Sequence, residues 1–355
     1  MTFDLSSLGW DDALGADYAR YERLDARPAR VARVDRGVCT VLTAQGAHRA
    51  SIGGGLLSAA AKDPVALPCA GDWVVVRAWP DGRTTIEAVL PRRTAVVRAS
   101  ADKDSSGQVL AANIDTAAVV EPVDPAPDMG RVERLLALAF QSRAVPVVLL
   151  TKADLVPDVR TIVAQVSAVA PGVPVYAVGA EVGLGLDAVR PLVAHGRTLG
   201  LLGASGAGKS TMVNALVGVT VMATQTIRRV DGRGRHTTSF RALVPVPGGG
   251  AILDTPGLRG VGLLDGVAGL DQAFADIDAL AERCRFGDCS HTTEPGCAVT
   301  AALAAGQLTR RRLASWRKLQ NELAREMLRH DARLAAAERS RWRRIREQRV
   351  RGSRG

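Results

Sequence analysis

The sequence predicts an α/β fold in which a parallel sheet with helices on both faces follows a small β-barrel and precedes a helical module. Short β-branched runs between Gly, Pro and Asp turns fill residues 29–98, which is typical of a barrel. Strand and helix patterns alternate over residues 113–265, as in parallel sheets covered by helices. Three cysteines and a histidine lie within residues 284–297, which favours a metal-binding module.

The composition is that of an ordinary soluble protein, with 355 residues, 47% of them hydrophobic and 23% charged. No apolar run reaches the roughly 20 residues of a membrane span, and the first ten residues lack the pattern of a signal peptide. We therefore expect a cytoplasmic protein without a membrane partner. Because thiols stay reduced there, we expect no disulfides, and Cys39 and Cys69 are interpreted as core residues.

The barrel is predicted to be of the five-stranded OB type, which commonly binds nucleic acid, although a purely structural β module would have the same composition. A turn is expected at residues 53–55. The residues before the barrel are expected to form an extension whose order the sequence does not determine, with Trp10, Tyr18 and Tyr21 docking. The predicted boundaries are 1–28 for an N-terminal extension, 29–98 for the barrel, 99–112 for a linker, 113–265 for the α/β domain, 266–330 for the helical module and 331–355 for a basic tail.

A phosphate-loop pattern, G-x-x-x-x-G-K-[ST], is matched between a predicted strand and a predicted helix. Backbone N–H groups of such a loop converge on phosphate oxygens at a helix N-terminus. Lys209 would reach the β- and γ-phosphates, and Ser210 would hold Mg²⁺. The alternative is a glycine-rich turn that matches by accident. The matched residues are Gly203, Ala204, Ser205, Gly206, Ala207, Gly208, Lys209 and Ser210, with Thr211 behind them.

A second motif, Asp-x-x-Gly, follows a predicted strand at Asp254 and Gly257. In nucleotide hydrolases such a carboxylate is linked to Mg²⁺, and the glycine N–H faces the γ-phosphate. Either Thr237 or Thr238 would supply the second protein contact to Mg²⁺, and the sequence does not separate them. His236, beside them, is a candidate for orienting water or is simply a surface histidine.

Base selection is assigned to Thr151, Lys152, Ala153 and Asp154, at the end of another predicted strand. The Asp154 carboxylate can accept two parallel N–H bonds from guanine, and the Lys152 stem would cover the base plane. Common GTPases have Asn in place of Thr151, so selectivity rests mostly on Asp154. In those proteins this motif follows the phosphate loop, whereas here it precedes it. The order predicts a circularly permuted P-loop GTPase domain, which nearby domain termini make possible.

The ligand-type residues of the helical module are Cys284, Cys289, His291 and Cys297. Three thiolates and an imidazole form a full tetrahedral set, typical of one closed structural Zn²⁺ ion and not of metal catalysis. Unrelated reduced cysteines are the alternative. Behind this cluster, apolar residues recur at helical spacing with basic residues between them, which predicts an amphipathic helix with a basic outer face. The apolar positions are Leu308, Leu313, Trp316, Leu319, Leu323 and Met327, and the basic ones are Arg310, Arg311, Arg312, Arg317 and Lys318.

The net charge of +10 is concentrated near the C-terminus, where residues 307–355 hold 16 Lys or Arg and 5 Asp or Glu. A basic end on a nearly neutral body favours a polyanionic partner, although such tails are also often solvated helix or disorder.

Taken together, the permuted motifs, the barrel ahead of them and the Cys-x4-Cys-x-His-x5-Cys module behind them resemble the ribosome small subunit-dependent GTPase A family (RsgA/YjeQ) over residues 29–330. The resemblance implies GTP hydrolysis, stimulated by the small ribosomal subunit, in late subunit maturation. It also implies GTP, GDP, the subunit and its rRNA as partners, Mg²⁺ with GTP, and a monomer. The chain departs from the family at Gly179 and Ala180, where a Ser-Ala pair usually serves guanine O6, a contact the Ala180 N–H can still make.

Two other functions stay open at this point. The chain could be a GTP-gated RNA-binding protein whose hydrolysis is incidental. It could also be a zinc-bearing nucleic-acid binder with a vestigial nucleotide site, which is the weakest alternative because Lys209, Ser210 and Asp254 are intact.

Overall fold

The N-terminal segment lies against the barrel in the computed structural model, which describes residues 2–35, 37–98, 107–222, 242–255 and 267–328. It contains helix α1 (Asp12–Tyr18), whose N-terminus is capped by the Asp11 side chain, and a 3₁₀ helix (Ala19–Leu24). Leu8 and Leu14 are buried, and the ring centroid of Trp10 lies 5.0 Å from that of Trp73 in the barrel. Its apolar side chains thus meet an apolar barrel surface, so the segment is docked on the barrel.

Five strands close into the expected OB-type barrel. Their bounds, with the helix among them, are Ala26–Asp35 (β1), Val38–Thr43 (β2), Gly46–Ile52 (β3), Gly54–Ala60 (α2), Trp73–Ala78 (β4) and Thr84–Val89 (β5). The pairing order is β1-β2-β3-β5-β4, and β4 pairs back with β1. The β3–β5 pair is parallel and the other pairs are antiparallel.

Two local features differ from the sequence-based expectations. Helix α2 begins at Gly54, where a turn was expected, because Leu56 and Ala60 are buried four residues apart on one helix face. Part of the expected linker forms a strand (β7, Gln108–Ala112) that pairs with β6 (Ala95–Arg98). Val109 and Ala112 are buried there, so this stretch carries core residues.

The α/β domain is built on a mostly parallel sheet, in the order β10-β9-β8-β11-β13-β12. All pairs are parallel except β12–β13, and β12 also pairs with β1 of the barrel through Ala242 and Arg33. Strand and helix bounds are Thr116–Pro122 (β8), Met129–Gln141 (α3), Val145–Thr151 (β9), Arg160–Val169 (α4), Val175–Val178 (β10), Leu186–Val189 (α5), Thr198–Gly203 (β11), Lys209–Val217 (α6), Ala242–Pro245 (β12) and Ala251–Asp254 (β13). Two further 3₁₀ helices are Ala153–Leu155 and Arg190–Val193.

The central strands are buried on both faces, which explains their nearly continuous apolar sequences. Every residue of β8, β11 and β13 is buried. Because the parallel strands run in one direction, the residues that follow β8, β9, β10, β11 and β13 meet at one edge of the sheet. All the predicted nucleotide motifs in the described residues lie at that edge.

The C-terminal module contains α7 (Val267–Ala273), α8 (Ala275–Ala281), α9 (Ala298–Ala304) and a last helix, α10, described over residues 310–328. The predicted apolar stripe of α10 is buried except for Met327, which is 47% exposed. Arg312, expected on the basic outer face, is also buried. None of the helices in the described ranges is both long enough and apolar enough to span a membrane.

Arg312 is buried because it joins the C-terminal module to α3 of the α/β domain. Its guanidinium donates to Glu133 on α3 at 2.9 Å and to both carboxylate oxygens of Asp276 on α8 at 3.0 and 2.6 Å. Arg311 donates to both oxygens of Glu133 at 2.9 and 2.8 Å. Two acidic and two basic side chains therefore neutralise one another at the junction.

Candidate functional site

The phosphate loop joins β11 to α6, as the motif requires. Helix α6 begins at Lys209, and Gly206 and Gly208 have φ values of +82° and +88°, which favour glycine. Gly203 lies so close to β8 that a Cβ there would be 2.5 Å from the carbonyl oxygen of Val120. Ser210 and Thr211 lie in the first turn of α6, half-buried. The loop therefore has the geometry that lets backbone N–H groups converge on an anion.

Lys209 is buried at the base of this loop. Its ammonium group donates to the carbonyl oxygens of Gly203 and Ala204 at 2.9 and 2.8 Å. Burial lowers the pKa of Lys209, and the attraction of Asp254 offsets part of that shift. A phosphate in the loop would supply the full negative charge that these carbonyl dipoles replace only in part.

Asp254 stands at the end of β13, paired in register with Leu201 of β11. Burial raises the pKa of this carboxyl, against the attraction of Lys209. Its Oδ1 atom is buried and has no hydrogen-bond partner within the described residues. A buried carboxylate oxygen without a donor suits a Mg²⁺ ion or a water molecule bound to one, so the residues present fit the metal.

The Thr151 side chain contacts the phosphate loop, a contact that the sequence alone did not reveal. Its hydroxyl is buried and donates to the carbonyl oxygen of Ala207 at 2.6 Å. A Cβ on Gly208 would lie 3.2 Å from the same hydroxyl oxygen. The side chain of Thr151 therefore contacts the phosphate loop at both Ala207 and Gly208.

The residues predicted to read the base follow β9 and β10. Lys152 has a positive φ of 59° and its ammonium group donates to the carbonyl oxygen of Asp124 at 3.3 Å. Ala153 is buried and Asp154 is exposed. Gly179 lies directly against Asp154, with Ala180 next to it along the chain. Asp154 and Ala180 are thus brought to the same edge.

Four of the predicted residues, His236, Thr237, Thr238 and Gly257, lie outside the described residues. Thr255, next to Asp254, is described. Its hydroxyl is buried and donates to the carbonyl oxygen of Leu201 at 2.6 Å, which ties the motif to β11.

The cysteine and histidine cluster brings four ligand atoms within 4.8 Å of one another, from Cys284, Cys289, His291 and Cys297. The Sγ atoms of Cys284 and Cys297 are 3.8 Å apart, and each lies 3.6 Å from Nδ1 of His291. A tetrahedral Zn²⁺ with bonds of about 2.3 Å to sulfur and about 2.0 Å to nitrogen requires separations of about 3.8 and 3.5 Å. The cluster fits such an ion.

Neighbouring groups favour the thiolate form of one ligand in this cluster, Cys297, whereas burial raises the pKa of Cys289. Burial opposes ionisation of Cys297, but hydrogen bonds from the backbone and side chain of Thr300, followed by His291 and Cys289, lower its pKa to about 6. A low pKa favours the thiolate, which is the form that binds metals.

The loop around His291 is held by two side chains. The Glu294 carboxylate accepts N–H groups of Ser290, Thr292 and Thr293 at 2.8 to 3.0 Å, and the hydrogen bonds with Ser290 foremost hold the pKa of Glu294 well below its usual range. Arg317 donates to the carbonyl oxygen of His291 at 2.7 Å. These contacts fix a histidine whose φ is +58°. They are contacts that the ligand spacing did not indicate.

A family model described as RsgA GTPase matches residues 89–264. A relative from Streptomyces coelicolor named small ribosomal subunit biogenesis GTPase RsgA is 51% identical over 344 residues, covering 96% of this chain and 92% of the relative. The chain belongs to the RsgA GTPase family. A relative of the same name from Opitutus terrae is 43% identical over 352 residues, covering 96% of this chain and 95% of its own length.

Solved structures support the fold of this RsgA family member. YjeQ from Thermotoga maritima aligns with a TM-score of 0.59 at 23% identity, covering 84% of this chain and 99% of that one. YloQ, described as a circularly permuted GTPase, aligns with a TM-score of 0.55 at 21% identity, covering 84% and 95%. The predicted fold class, a circularly permuted P-loop GTPase domain between an OB-type barrel and a Cys/His-bearing module, is confirmed.

One buried acid, at the sheet edge that carries the predicted nucleotide motifs, was not predicted from the sequence. Glu121, on β8, accepts the N–H of Asp128 at 3.0 Å and pairs with Arg131, so it fixes the loop between β8 and α3. Its signal was a lone acid in an otherwise apolar strand run, a pattern that a buried, paired carboxylate explains.

Proposed function

We propose that this RsgA family member hydrolyses GTP when bound to the small ribosomal subunit and acts late in the maturation of that subunit. The observation that carries the proposal is the convergence of Asp154, Lys209 and Asp254 at one edge of the permuted sheet. The printed name of the relatives, small ribosomal subunit biogenesis GTPase, supports the choice of partner.

Each group at this edge has a proposed role. Asp154 and the Ala180 N–H bind the guanine base, and Lys152 covers its plane. The backbone from Gly203 to Gly208, with Lys209 and Thr211, binds the phosphates. Ser210, Asp254 and either Thr237 or Thr238 hold Mg²⁺, which neutralises phosphate charge when bound, and the Gly257 N–H contacts the γ-phosphate. His236 is proposed to orient the attacking water.

We further propose one structural Zn²⁺ ion on Cys284, Cys289, His291 and Cys297. The barrel, this zinc module and the basic residues beyond position 306 would contact rRNA, whose phosphates suit the positive charge of that segment. The protein would act as a cytoplasmic monomer.

The discriminating experiment measures GTP turnover with and without purified small subunits, alongside subunit binding with GDP and a non-hydrolysable GTP analogue. Because Leu258 stands where many GTPases have a water-orienting glutamine, turnover of the free protein should be slow and should rise on the subunit. GTP-dependent binding without any rise in turnover would instead support the GTP-gated RNA-binding protein. Equal affinity for ATP and GTP would contradict the proposal.

A further inference from the structure

A cavity of about 400 Å³ lies where the N-terminal segment, the barrel and the sheet of the α/β domain meet. Val145 and Thr198, the first residues of β9 and β11, lie on its wall, as does Asp115, which directly precedes β8. The predicted nucleotide motifs follow the opposite ends of these strands. At about 3.3 Å per residue, the length of β11 places the cavity roughly 16 Å from the phosphate loop. The cavity is therefore a separate site.

Arg30 lies on the cavity wall with a positive charge that no carboxylate of the described residues neutralises by contact. Its side chain is 1% exposed and donates to the carbonyl oxygens of Leu8, Gly71 and Asn113. These bonds use three of the five guanidinium N–H groups, and the other two have no acceptor within the described ranges. Because buried charges are normally paired with opposite charges, Arg30 leaves a positive charge to be matched at this wall.

The two aspartates of the cavity wall are engaged by other groups. Asp11 accepts N–H groups of Arg93 at both carboxylate oxygens. Asp115 accepts the backbone N–H of Thr198 at 2.7 Å, and its other oxygen lies 3.9 Å from the Arg197 guanidinium, which is beyond hydrogen-bond distance. With four arginines and these two aspartates, the wall has a net charge of +2.

Arg143 is the fourth of these arginines and is free to bind an anion. It follows α3, its φ is +66°, and its side chain is exposed. In the part of the chain that the structure describes, this side chain has neither a hydrogen bond nor an ion pair. A guanidinium group presents parallel N–H groups that match two oxygens of a phosphate. Arg143 can therefore add a bidentate contact to the charge of Arg30.

An apolar strip forms another part of the wall and is made by Trp10, Leu14, Trp73, Ile114 and Val145. The ring centroids of the two tryptophans lie 5.0 Å apart. The side chain of Val145 is 64% exposed, so it has apolar surface left to cover. A concave site of this volume, with apolar walls and a few charged groups, is typical of small-molecule binding.

We propose that this cavity binds a small phosphate monoester with an apolar body. At neutral pH a phosphate monoester carries close to two negative charges, which matches the net charge of the wall. Its phosphate oxygens would accept N–H groups of Arg30 and Arg143, and its apolar body would lie against the apolar strip. The inference goes beyond the proposed function, since the site shares no residue with the predicted nucleotide motifs.

The test titrates phenyl phosphate into the full-length protein by calorimetry, with GDP and Mg²⁺ at saturation so that the phosphate loop is filled. The wild type should bind with a dissociation constant of about 1 mM or lower. Inorganic phosphate, which lacks the apolar body, and benzoate, which carries a single charge, should each bind at least fivefold more weakly.

Arg143→Gln should lower the affinity for phenyl phosphate at least fivefold, because a bidentate charged contact is lost. The matched control is Arg83→Gln, which removes an exposed arginine of the barrel outside the cavity and should leave that affinity unchanged. GDP affinity should be the same in both variants, which shows that each is folded. The comparison of the two variants reports on the cavity alone, because neither residue lies at the phosphate loop.

Absence of phenyl phosphate binding in the wild type would overturn the proposal. Equal affinities in Arg143→Gln and Arg83→Gln would do the same. If inorganic phosphate or benzoate bound as tightly as phenyl phosphate, the assignment to an apolar phosphate monoester would be wrong.

Discussion

Asp254 illustrates, at the scale of one residue, a functional group that the folded chain does not stabilise. The carboxylate is buried and Oδ1 has no donor in the described part of the chain. Burial raises its pKa, so the folded state binds the proton more tightly than the unfolded state does. The proton on Asp254 therefore stabilises the folded state at acidic pH, and this stabilisation is lost as the pH rises through the raised pKa of the folded state. At neutral pH the ionised form therefore costs stability until a cation arrives.

The substitution Asp254→Asn should raise the free energy of unfolding of the nucleotide-free protein at pH 7 by on the order of 1 kcal/mol, because it removes a buried unpaired charge. The same change should abolish Mg²⁺-dependent GTP hydrolysis. Thermal unfolding of the nucleotide-free protein measures the change in stability, and phosphate release from GTP with Mg²⁺ measures the loss of hydrolysis. Asp187→Asn is the control, since that side chain is fully exposed. Lower stability of the Asp254→Asn protein would contradict this account.

At the scale of elements, the junction between α3 and the C-terminal module depends on Glu133 and Arg312, which are buried. Glu133→Gln should lower the free energy of unfolding by about 2–3 kcal/mol, less than a typical broken buried pair because Asp276 still neutralises Arg312. The matched control is Glu322→Gln, which breaks the partly exposed pair with Arg134 and should cost less than about 1 kcal/mol. Urea unfolding measures both, and equal losses would argue against a buried ionic junction.

Helix α8 adds a pH dependence of its own. Burial first, and then the charges of Asp271, Asp276 and Glu282, raise the pKa of Asp278 to about 6 from an unfolded value of 3.8. The folded state holds this proton more tightly, so the contribution of Asp278 to stability should fall as pH rises from about 4 to about 6 and then level off.

Asp278→Asn should flatten that part of the pH profile and raise stability at pH 7. Urea unfolding at several pH values measures both effects. An unchanged profile would contradict the assignment to Asp278.

How far the sequence predicts the elements depends on which physical signal they carry. The strands and the nucleotide motifs were predictable because an apolar run followed by a polar motif specifies a buried strand and its end, as at β11 and Lys209. Arg312 and Met327 were assigned to the wrong faces of α10. The charge pairs of Arg312 with distant helices leave no signal in the local periodicity. The same is true of the point before Met327 at which the packed apolar stripe ends. Helix α2 was missed because its glycines masked the spacing of Leu56 and Ala60.

At the scale of the whole molecule, one buried arginine joins three parts of the chain. Arg30 of the barrel donates to the carbonyl oxygens of Leu8 in the N-terminal segment, Gly71 in the barrel and Asn113 just before β8. Burial lowers the pKa of Arg30 to about 10. Contacts with three carbonyl groups distant in sequence could not be anticipated from composition, which is why the order of the segment before β1 could not be predicted.

The attachment of the C-terminal module to the α/β domain determines what removal of the metal should do. Residues 284–297 form a loop between α8 and α9, whereas α7 and α10 are held to the α/β domain by the Arg312 junction and by buried apolar residues. Structural Zn²⁺ contributes folding free energy, so a strong chelator or Cys284→Ala should unfold the loop while the helices stay attached.

Zinc content should fall from one ion per chain to none in Cys284→Ala and stay at one in Cys69→Ala, whose thiol lies in the N-terminal half of the chain. Subunit binding should weaken at least tenfold because the loop would no longer present a fixed surface. GDP affinity should change less than about threefold, because the strands that carry the predicted nucleotide motifs and the junction at α3 do not include the loop. Elemental analysis measures the zinc content, and nucleotide titration measures the GDP affinity. A parallel collapse of GDP affinity would mean that the metal supports the α/β domain as well as its own loop.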